Sequence, residues 1–417
     1  MCAHTNCFYI FVCAHNKTYL SSCINQYYIP FIDKTFMQPG SLTIHDLKEI
    51  VNHFKINGEA ERIYPYGSGH INDTYHVVNT NPALPDYLLQ RINAYVFKNI
   101  PLLVNNIETV TTHIRNKLNN IPGADADKQV LTLIKTKANE PFLKDATGNY
   151  WRMYLFLKNT RSYDLVTTDH QAYEGGRSFG EFQFLLSDLD AKLLGETIPD
   201  FHNIETRLAK FKEVLLADSE LRVKDAVDEI AFVNRRKQSM GAILALGRKR
   251  KLPLRITHND TKFNNVLLDS NDCGQCVIDL DTVMPGYIAY DFGDAIRTIV
   301  NTAAEDEADT SKININISFF ESFTRGFLKK TAQILTNEEV GSLPLGALLL
   351  PYIVGVRFLT DHLEGDKYFK IRFPGHNLQR ARAQFELLRK LEDNYTELET
   401  IVFRTAQEYG TTMLINN

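Results

Sequence analysis

Residues 255–297 decide the fold of this chain, and they read RITHNDTKFNNVLLD, then SNDCGQ, then CVIDLDTVMPGYIAYDFGDAIR. Two short apolar runs, VLL and CVI, are separated by a polar turn, a pattern that predicts a β-hairpin. Asp260 and Asn265 precede the first run, and Asp279 follows the second. A hairpin brings the start of its first strand beside the end of its second. The sequence therefore predicts that these three side chains lie close together.

The order Asp-x4-Asn, apolar strand, Asp is typical of the catalytic loop of a kinase. Phosphoryl transfer requires positioning and charge stabilisation more than covalent chemistry from the protein. Mg²⁺ prefers hard oxygen ligands and keeps several waters, so one amide and one carboxylate suffice for it. We therefore predict that Asp260 accepts the proton of the acceptor hydroxyl, and that Asn265 and Asp279 hold Mg²⁺ on ATP. Asp281 follows on the same strand end and is predicted to help place the acceptor.

The triplet Asp291-Phe292-Gly293 spells a metal-binding motif of protein kinases, but its position argues against that role. It lies 31 residues after Asp260, whereas Asp279 lies 19 after it, which is room for one short hairpin. Asp291 also precedes a periodic apolar run typical of a helix. We interpret Asp291 as structural, either an N-cap or a buried acceptor that braces the catalytic loop.

Upstream, SLTIHDLKEIVNHF predicts a helix, and strand-like runs follow around a glycine-rich turn. Glycines at such a turn let backbone amides approach phosphates without interference from a Cβ atom. The nucleotide-covering loop is predicted to hold Gly67, Ser68 and Gly69, with Asn72 and Thr74 adding polar contacts. The chain has no GxxxxGK[ST] motif, so this loop is not a P-loop.

A kinase of this kind needs a cation on its third strand, directed at the nucleotide phosphates. Here that strand reads Tyr-Leu-Leu-Gln-Arg rather than carrying the usual lysine. Arg91 is the cation at this place, and we predict that it faces the phosphates with Glu108 of the next helix orienting it. Strand alternation leaves a second possibility, that Gln90 is the inward residue.

HNDTKFNNVLLD and VIDLDTVMPGYIAYDFGDAIR resemble the aminoglycoside phosphotransferase superfamily of small-molecule kinases. GSGHINDTY near residue 70 and RFLTDHLEGDKYF near residue 360 resemble the N-acetylhexosamine 1-kinase subgroup, and the resemblance runs from about residue 41 onward. It implies an α+β, bilobal protein-kinase-like fold, with a nucleotide-covering lobe at 41–157 and a mainly helical catalytic lobe at 158–417. It also implies ATP and Mg²⁺ as cofactors and the anomeric hydroxyl of N-acetylglucosamine or N-acetylgalactosamine as the acceptor.

A later element must complete the acceptor site, and GVRFLTDHLEGDKYFKI is the best candidate because polar groups end an apolar helix there. An aromatic ring stacks on a sugar, and a guanidinium donates paired hydrogen bonds to it. We predict that Arg357 and Tyr368 contact the sugar, and that His70 reaches it from the opposite lobe.

The composition limits the alternatives. The chain has 417 residues, a net charge of −4 and 23% charged residues, which argues against a general nucleic-acid-binding surface. It contains no run of about 18 apolar residues, so no membrane span is predicted. Six cysteines are too few for a disulfide framework in a chain of this length, which fits the reducing cytoplasm. Residues 1–40 hold four of them, fall outside the resemblance and are predicted to form a poorly ordered extension.

Two other functions fit the same residues. The first is a kinase for another small hydroxyl compound, such as choline, homoserine or an aminoglycoside. The second is an inactive kinase fold that acts as a binding module, which the absent third-strand lysine favours. The partner expected in every catalytic reading is a small molecule, with a sugar as the preferred one.

Overall fold

The structure is a computed structural model that describes residues 43–67 and 71–410. From Ile44 onward the described chain forms one compact unit. The predicted extension at 1–40, and the residues Ser68, Gly69 and His70, lie outside the described residues.

The smaller lobe is built on an antiparallel sheet whose strand order is β1-β2-β3-β6-β4, with β5 pairing to β6. The second helix of this lobe buries an apolar face that includes Val104, Ile107 and Ile114. The strands are β1 Ala60–Pro65, β2 Asp73–Asn79, β3 Tyr87–Ile92, β4 Leu133–Ile134, β5 Leu143–Lys144 and β6 Tyr150–Leu155. The helices are α1 Ile44–Asn52, α2 Ile100–Leu118 and α3 Ala126–Gln129.

The larger lobe is mainly helical and encloses two small antiparallel strand pairs, β7 with β10 and β8 with β9. The strands are β7 Arg255–Thr257, β8 Val266–Leu268, β9 Gly274–Val277 and β10 Met284–Gly286. The helices are α4 Asp169–Leu185, α5 Ile204–Ala217, α6 Val227–Arg236, α7 Ala242–Arg248, α8 Ile288–Ile299, α9 Ile317–Thr331, α10 Asn337–Glu364, α11 His376–Asp393 and α12 Tyr395–Glu408. The fold is therefore the predicted α+β type, with a small sheet lobe and a larger helical lobe.

Helix α10 runs through the larger lobe and packs against α5, α8 and α11. It is long and apolar enough by composition to cross a membrane, but 83% of its most apolar window is buried inside the protein. A capping box formed by Thr336 and Glu339 fixes its start, and Gly365 in the left-handed region ends it. Its apolar character is therefore that of a core helix.

Helices α4 and α9 approach closely because glycines line their contact. A Cβ atom on Gly176 would lie 2.1 Å from the carbonyl oxygen of Phe323, and one on Gly180 would lie 2.4 Å from that of Phe327. Backbone atoms cannot move aside as a flexible side chain does. This close packing supports α4, whose Gln183 donates to Asp291 of α8, the residue that braces the catalytic loop described below.

Alternation of side chains across the sheet of the smaller lobe separates two sets of residues. Thr74, Gln90 and Arg152 are neighbours across β2, β3 and β6 and point to one face. Arg91 and Trp151 are neighbours one position further along and point to the other face. This register decides which cation of the sheet reaches the larger lobe.

Candidate active site

The loop after β7 carries Asp260 and is held by one buried carboxylate. Asp291 accepts hydrogen bonds from the backbone N–H groups of His258 at 2.8 Å and Asn259 at 2.7 Å, and from the side chain of Gln183 at 2.6 Å. The hydroxyl of Thr261 donates to its carbonyl oxygen at 2.6 Å. The bracing role predicted for Asp291 is confirmed. The N-cap alternative is wrong, since α8 already begins at Ile288.

The same loop is tied to the segment that follows β9. The ring Nε2 of His258 lies 2.8 Å from the carbonyl oxygen of Ile278, and the hydroxyl of Thr282 donates to the carbonyl of His258 at 2.7 Å. The backbone N–H of Ile278 donates to the carbonyl of Asn265 at 2.9 Å. These contacts hold the two polar segments of the hairpin side by side, as the sequence predicted.

Asp260 and Asn265 are in direct contact. The amide Nδ2 of Asn265 donates to the carbonyl oxygen of Asp260 at 2.8 Å and lies 3.2 Å from its Oδ2. The ammonium of Lys262 lies 3.0 Å from Oδ1 of the same carboxylate. Burial alone would raise the pKa of Asp260, but the charge and hydrogen bond of Lys262 lower it below its usual value. Asp260 is therefore an ionised carboxylate at neutral pH.

Asp279 stands at the start of a short 3-10 turn, Leu280–Thr282, in the left-handed region with φ +59°. Desolvation by the neighbouring protein atoms, and then the charges of Asp281 and Asp260, raise the pKa of Asp279 to about 7, although the residue is exposed to solvent. Carboxylates that repel one another in this way fit a divalent cation, which removes the repulsion.

A metal at this place needs ligands beyond the protein. Within residues 43–67 and 71–410, no group of three or more His, Cys, Asp or Glu side chains is arranged to hold a metal ion. Mg²⁺ usually combines one or two protein oxygens with phosphate oxygens and water. The amide oxygen of Asn265 and the carboxylate of Asp279 match this coordination, so these two residues would hold the ion together with a nucleotide.

Asp281 is buried and contacts the smaller lobe through both oxygens. Its Oδ1 forms an ion pair with Nη1 of Arg152, without the alignment of a hydrogen bond, and its Oδ2 accepts from Asn72 at 2.7 Å. Arg152 in turn donates to Gln90 at 2.9 Å, and Gln90 donates to Thr74 at 3.1 Å. Asp281 is thus engaged by protein groups rather than open to an acceptor.

Arg91 does not reach the carboxylates. It pairs with Asp73 on the neighbouring strand and lies over the ring of Trp151, on the sheet face opposite to Gln90. Glu108 pairs with Lys135 at 2.8 Å rather than with Arg91. The side chain facing the larger lobe from β3 is therefore Gln90, the second possibility that strand alternation allowed.

The predicted nucleotide-covering loop is only partly within the described residues. Gly67 has φ +81°, and a Cβ atom there would meet nothing within 4 Å. The left-handed conformation, rather than crowding, is what favours glycine at this position. Asn72 and Thr74 lie at the start of β2 and face Asp281 and Gln90.

The acceptor residues predicted from the end of α10 do lie together. The guanidinium of Arg357 lies 5.8 Å from the ring centre of Tyr368, 5.4 Å from that of Phe369 and 5.1 Å from that of Phe201. Tyr368 is 49% exposed, so its ring faces open space. Asp361 accepts from the backbone N–H groups of Tyr368 and Phe369, which fixes the loop.

Sequence reasoning missed three cations. Arg152 lies among aromatic residues in β6 and is buried in the structure, and no local pattern in the sequence indicates this. Lys262 stands two residues after Asp260, where the spacing alone could have suggested a contact. Arg207 of α5 lies close enough to Arg357 for the charge of Arg357 to lower its pKa, and no local pattern in the sequence indicates this.

Comparison with known proteins gives the family context. The family profile APH, described as the phosphotransferase enzyme family, matches residues 62–313. That span begins in β1 and ends after α8, so it covers most of the smaller lobe, the first part of the larger lobe and every polar residue of the catalytic hairpin.

Solved structures share the fold at low sequence identity. An aminoglycoside phosphotransferase from Alicyclobacillus acidocaldarius is similar with a TM-score of 0.56 and 11% identity, over 89% of this chain and 99% of that one. A microcompartment-associated aminopropanol kinase has a TM-score of 0.53 and 12% sequence identity, and the match covers 86% of this chain and 99% of that one. An amicoumacin kinase in complex with AMP-PNP, Ca²⁺ and Ami has a TM-score of 0.53 and 12% sequence identity, and the match covers 82% of this chain and 92% of that one.

Proposed function

Because the chain belongs to the phosphotransferase enzyme family, we propose that it transfers the γ-phosphoryl group of ATP to the anomeric hydroxyl of an N-acetylhexosamine. The product would be N-acetylglucosamine 1-phosphate or N-acetylgalactosamine 1-phosphate. The observation that carries the phosphoryl-transfer part is the contact of Asp260 with Asn265 beside Asp279. The hexosamine part rests on the resemblance of the GSGHINDTY and RFLTDHLEGDKYF segments.

In this proposal Asp260 accepts the hydroxyl proton. Its lowered pKa makes it an ionised acceptor but a weak base, which suits a reaction in which proton transfer comes late and orientation of the hydroxyl matters most. Lys262 holds one oxygen of this carboxylate in place and adds positive charge beside the transferred group.

Asn265 and Asp279 would hold Mg²⁺, which when bound neutralises the phosphate charge that develops during transfer. Asp281 takes a different role from the one predicted for it. It positions Arg152 and Asn72, so that the sheet of the smaller lobe presents a cation next to the metal ligands. Gln90 supports Arg152 from β3.

A sugar acceptor also agrees with the charges near Arg357. Choline and amino alcohols carry an ammonium group, which is commonly bound by carboxylates or by an open aromatic face. Here the aromatic rings of Phe201, Tyr368 and Phe369 already surround a guanidinium. A neutral carbonyl or hydroxyl oxygen accepts hydrogen bonds from that guanidinium without repulsion.

The test is ATP consumption with Mg²⁺ across N-acetylglucosamine, N-acetylgalactosamine, glucose, choline, aminopropanol and kanamycin. Asp260→Asn is compared with wild type, and Asp393→Asn, an exposed carboxylate at the end of α11, is the matched control. Phosphorus NMR of the product identifies a 1-phosphate.

We expect turnover on the N-acetylhexosamines, unchanged in Asp393→Asn and reduced by about 10²–10⁴-fold in Asp260→Asn. Turnover confined to an amine would keep the kinase and reject the hexosamine. ATP binding without turnover on any acceptor would reject catalysis and favour the binding-module alternative.

A further inference from the structure

Two arginines on the acceptor side of the catalytic loop have no acidic partner. Arg357 of α10 makes no hydrogen bond or ion pair with any residue in the described ranges. Arg207 of α5 donates only to the carbonyl oxygen of Phe201, at 3.2 and 2.9 Å. Both side chains are half-buried rather than extended into solvent. Their positive charges are therefore only partly exposed to water, and no carboxylate neutralises them within the part of the chain that the structure describes.

This arrangement is unusual within the molecule. Most of the other enclosed arginines are matched to a carboxylate, as Arg152 is to Asp281 and Arg297 is to Asp294. Arg380 is the exception and donates to the carbonyl oxygen of Lys370 and the side-chain oxygen of Asn377. An enclosed charge without a partner costs free energy, because the protein replaces water poorly as a solvent for it. The cost is visible in Arg207, whose pKa is lowered to about 10 by burial and by the charge of Arg357.

The groups around the pair do not supply the missing negative charge. His202 is buried between the pair and the catalytic loop, and its Nε2 contacts the carbonyl oxygen of Asn259 at 3.0 Å. Burial above all, and the neighbouring arginines, lower the pKa of His202 to about 3, so it is neutral. Asp200 acts on Arg207 only through its charge at a distance.

The position of Arg357 is fixed by its surroundings. The rings of Phe201, Tyr368 and Phe369 frame its guanidinium, and Asp361 holds the backbone of the last two. No nitrogen of Arg357 is among the buried and unpaired atoms, so its N–H groups face open space. A rigid, accessible and unpaired guanidinium has the properties of a recognition group, because little entropy is lost when a ligand binds it.

We infer that Arg207 and Arg357 form a binding site for an acidic group, a carboxylate or a phosphate ester, carried by the acceptor molecule. This inference rests on the proposed function, since it places the acceptor between the pair and Asp260. Guanidinium groups bind such anions through paired charge-assisted hydrogen bonds. The same two charges repel an ammonium group, so the site selects against cationic acceptors. The acceptor class is then an acidic N-acetylhexosamine or a related acidic sugar.

The test uses four sugars that differ in charge: N-acetylglucosamine 6-phosphate, glucuronic acid, N-acetylglucosamine and glucosamine. Binding of each to the full-length chain is measured by isothermal titration calorimetry at pH 7.5 and fixed ionic strength. The variants are Arg357→Gln and Arg207→Gln, with Arg357→Lys as the charge-conserving variant. Arg404→Gln, which removes an exposed arginine paired with Glu321, is the matched control.

We expect at least one acidic sugar to bind about 10-fold or more tightly than N-acetylglucosamine, and glucosamine to bind most weakly. Arg357→Gln should weaken the acidic sugar by about 10–100-fold, which corresponds to the loss of one charge-assisted hydrogen-bonding group. It should weaken N-acetylglucosamine much less, and Arg357→Lys should restore part of the difference. Preference for the phosphate or for the carboxylate identifies which acid the site takes.

Equal binding of acidic and neutral sugars by the wild type would overturn the inference. So would an equal loss for all four sugars in Arg357→Gln, which would make Arg357 a general sugar contact. Turnover measured with the same sugars separates the two proposals. Tight acidic binding without turnover rejects the proposed reaction and keeps the anion site, whereas turnover of N-acetylglucosamine with no acidic preference does the reverse.

Discussion

Arg152 of β6 and Asp281 of the catalytic hairpin form an ion pair whose two side chains are only 2% and 4% exposed. The pair joins the sheet of the smaller lobe to the edge of the site in the larger lobe. Asn72 donates a hydrogen bond to Asp281, and Gln90 accepts one from Arg152. The cation that the sheet brings to the edge of the candidate site therefore comes from β6, not from the third strand.

Breaking this pair should be costly. Arg152→Met leaves the carboxylate of Asp281 buried without its main partner, and removing one member of a buried ion pair costs about 3–5 kcal/mol. We expect a loss of this size in the free energy of unfolding, measured by urea denaturation at pH 7. Arg404→Met, which breaks an exposed pair, should change it by less than about 1 kcal/mol. An equal, small effect of both variants would show that the buried pair is not stabilising.

The two arginines of the sheet should differ in their effect on nucleotide binding. Arg91 faces away from the larger lobe and pairs with Asp73, so Arg91→Gln should change the KM for ATP by no more than about 3-fold, less than 1 kcal/mol. Gln90→Ala removes the support of Arg152 and should raise that KM further. Initial rates at varied ATP with saturating acceptor distinguish the two. A larger rise in the KM for ATP in Arg91→Gln than in Gln90→Ala would indicate that Arg91 contacts the phosphates.

Removal of the amide that we propose as a metal ligand should change the requirement for Mg²⁺. If Asn265 is a ligand, Asn265→Ala should raise the Mg²⁺ concentration needed for half-maximal activity by about 10–100-fold. Its neighbour Asn264 contacts Asp164 at 3.1 Å on the surface, so Asn264→Ala is the matched control. Activity is titrated with Mg²⁺ at constant total ATP. An unchanged Mg²⁺ requirement in Asn265→Ala would remove this residue from the metal site.

Asp291 should give stability a pH dependence of a defined sign. Burial raises the pKa of Asp291 to about 6 from an ordinary value near 3.8. A carboxyl whose folded pKa is raised stabilises the fold at low pH and loses that contribution as pH rises through the folded value. Asp291→Asn cannot titrate, so the stability advantage of wild type over this variant should be about 1 kcal/mol larger at pH 5 than at pH 7.5. Urea denaturation at the two pH values measures it. A difference that grows with pH would show that the carboxylate form is the stabilising one.

The close contact of α4 and α9 predicts opposite effects of two glycine substitutions. Gly176→Ala forces a Cβ atom to 2.1 Å from a backbone carbonyl, so we expect a loss of about 2–3 kcal/mol through displaced helices. Gly241→Ala has nothing within 4 Å and a helical backbone, so a gain of up to about 1 kcal/mol is expected from the unfolded chain. Thermal and urea unfolding compare the two. An unchanged free energy of unfolding in Gly176→Ala would show that α4 and α9 can move apart without loss of stability.

The catalytic hairpin could be predicted from the sequence because its residues are close along the chain. Asp260, Asn265 and Asp279 lie within 20 positions, so turn and strand signals alone determine their neighbourhood. The role of Asp291 could be predicted only in part. Its place in front of an apolar run indicated an N-cap, whereas α8 begins three residues earlier and Asp291 is the buried acceptor that braces the loop. The amphipathic helices, such as α2, were also predictable, because local periodicity reports which face is buried.

The tertiary structure decided what long-range register and packing control. Whether Arg91 or Gln90 faces the larger lobe depends on a strand register, and a shift of one residue exchanges the two faces. The pairing of Arg152 with Asp281 joins residues 129 positions apart, and no local pattern encodes it. Arg207 and Arg357 come from separate helices, so their shared, unneutralised charge exists only once α5 packs against α10. The sequence by itself therefore determined which polar residues of the hairpin lie together, because they are close along the chain. The fold decided how charge is distributed across the site, because those charges come from distant segments.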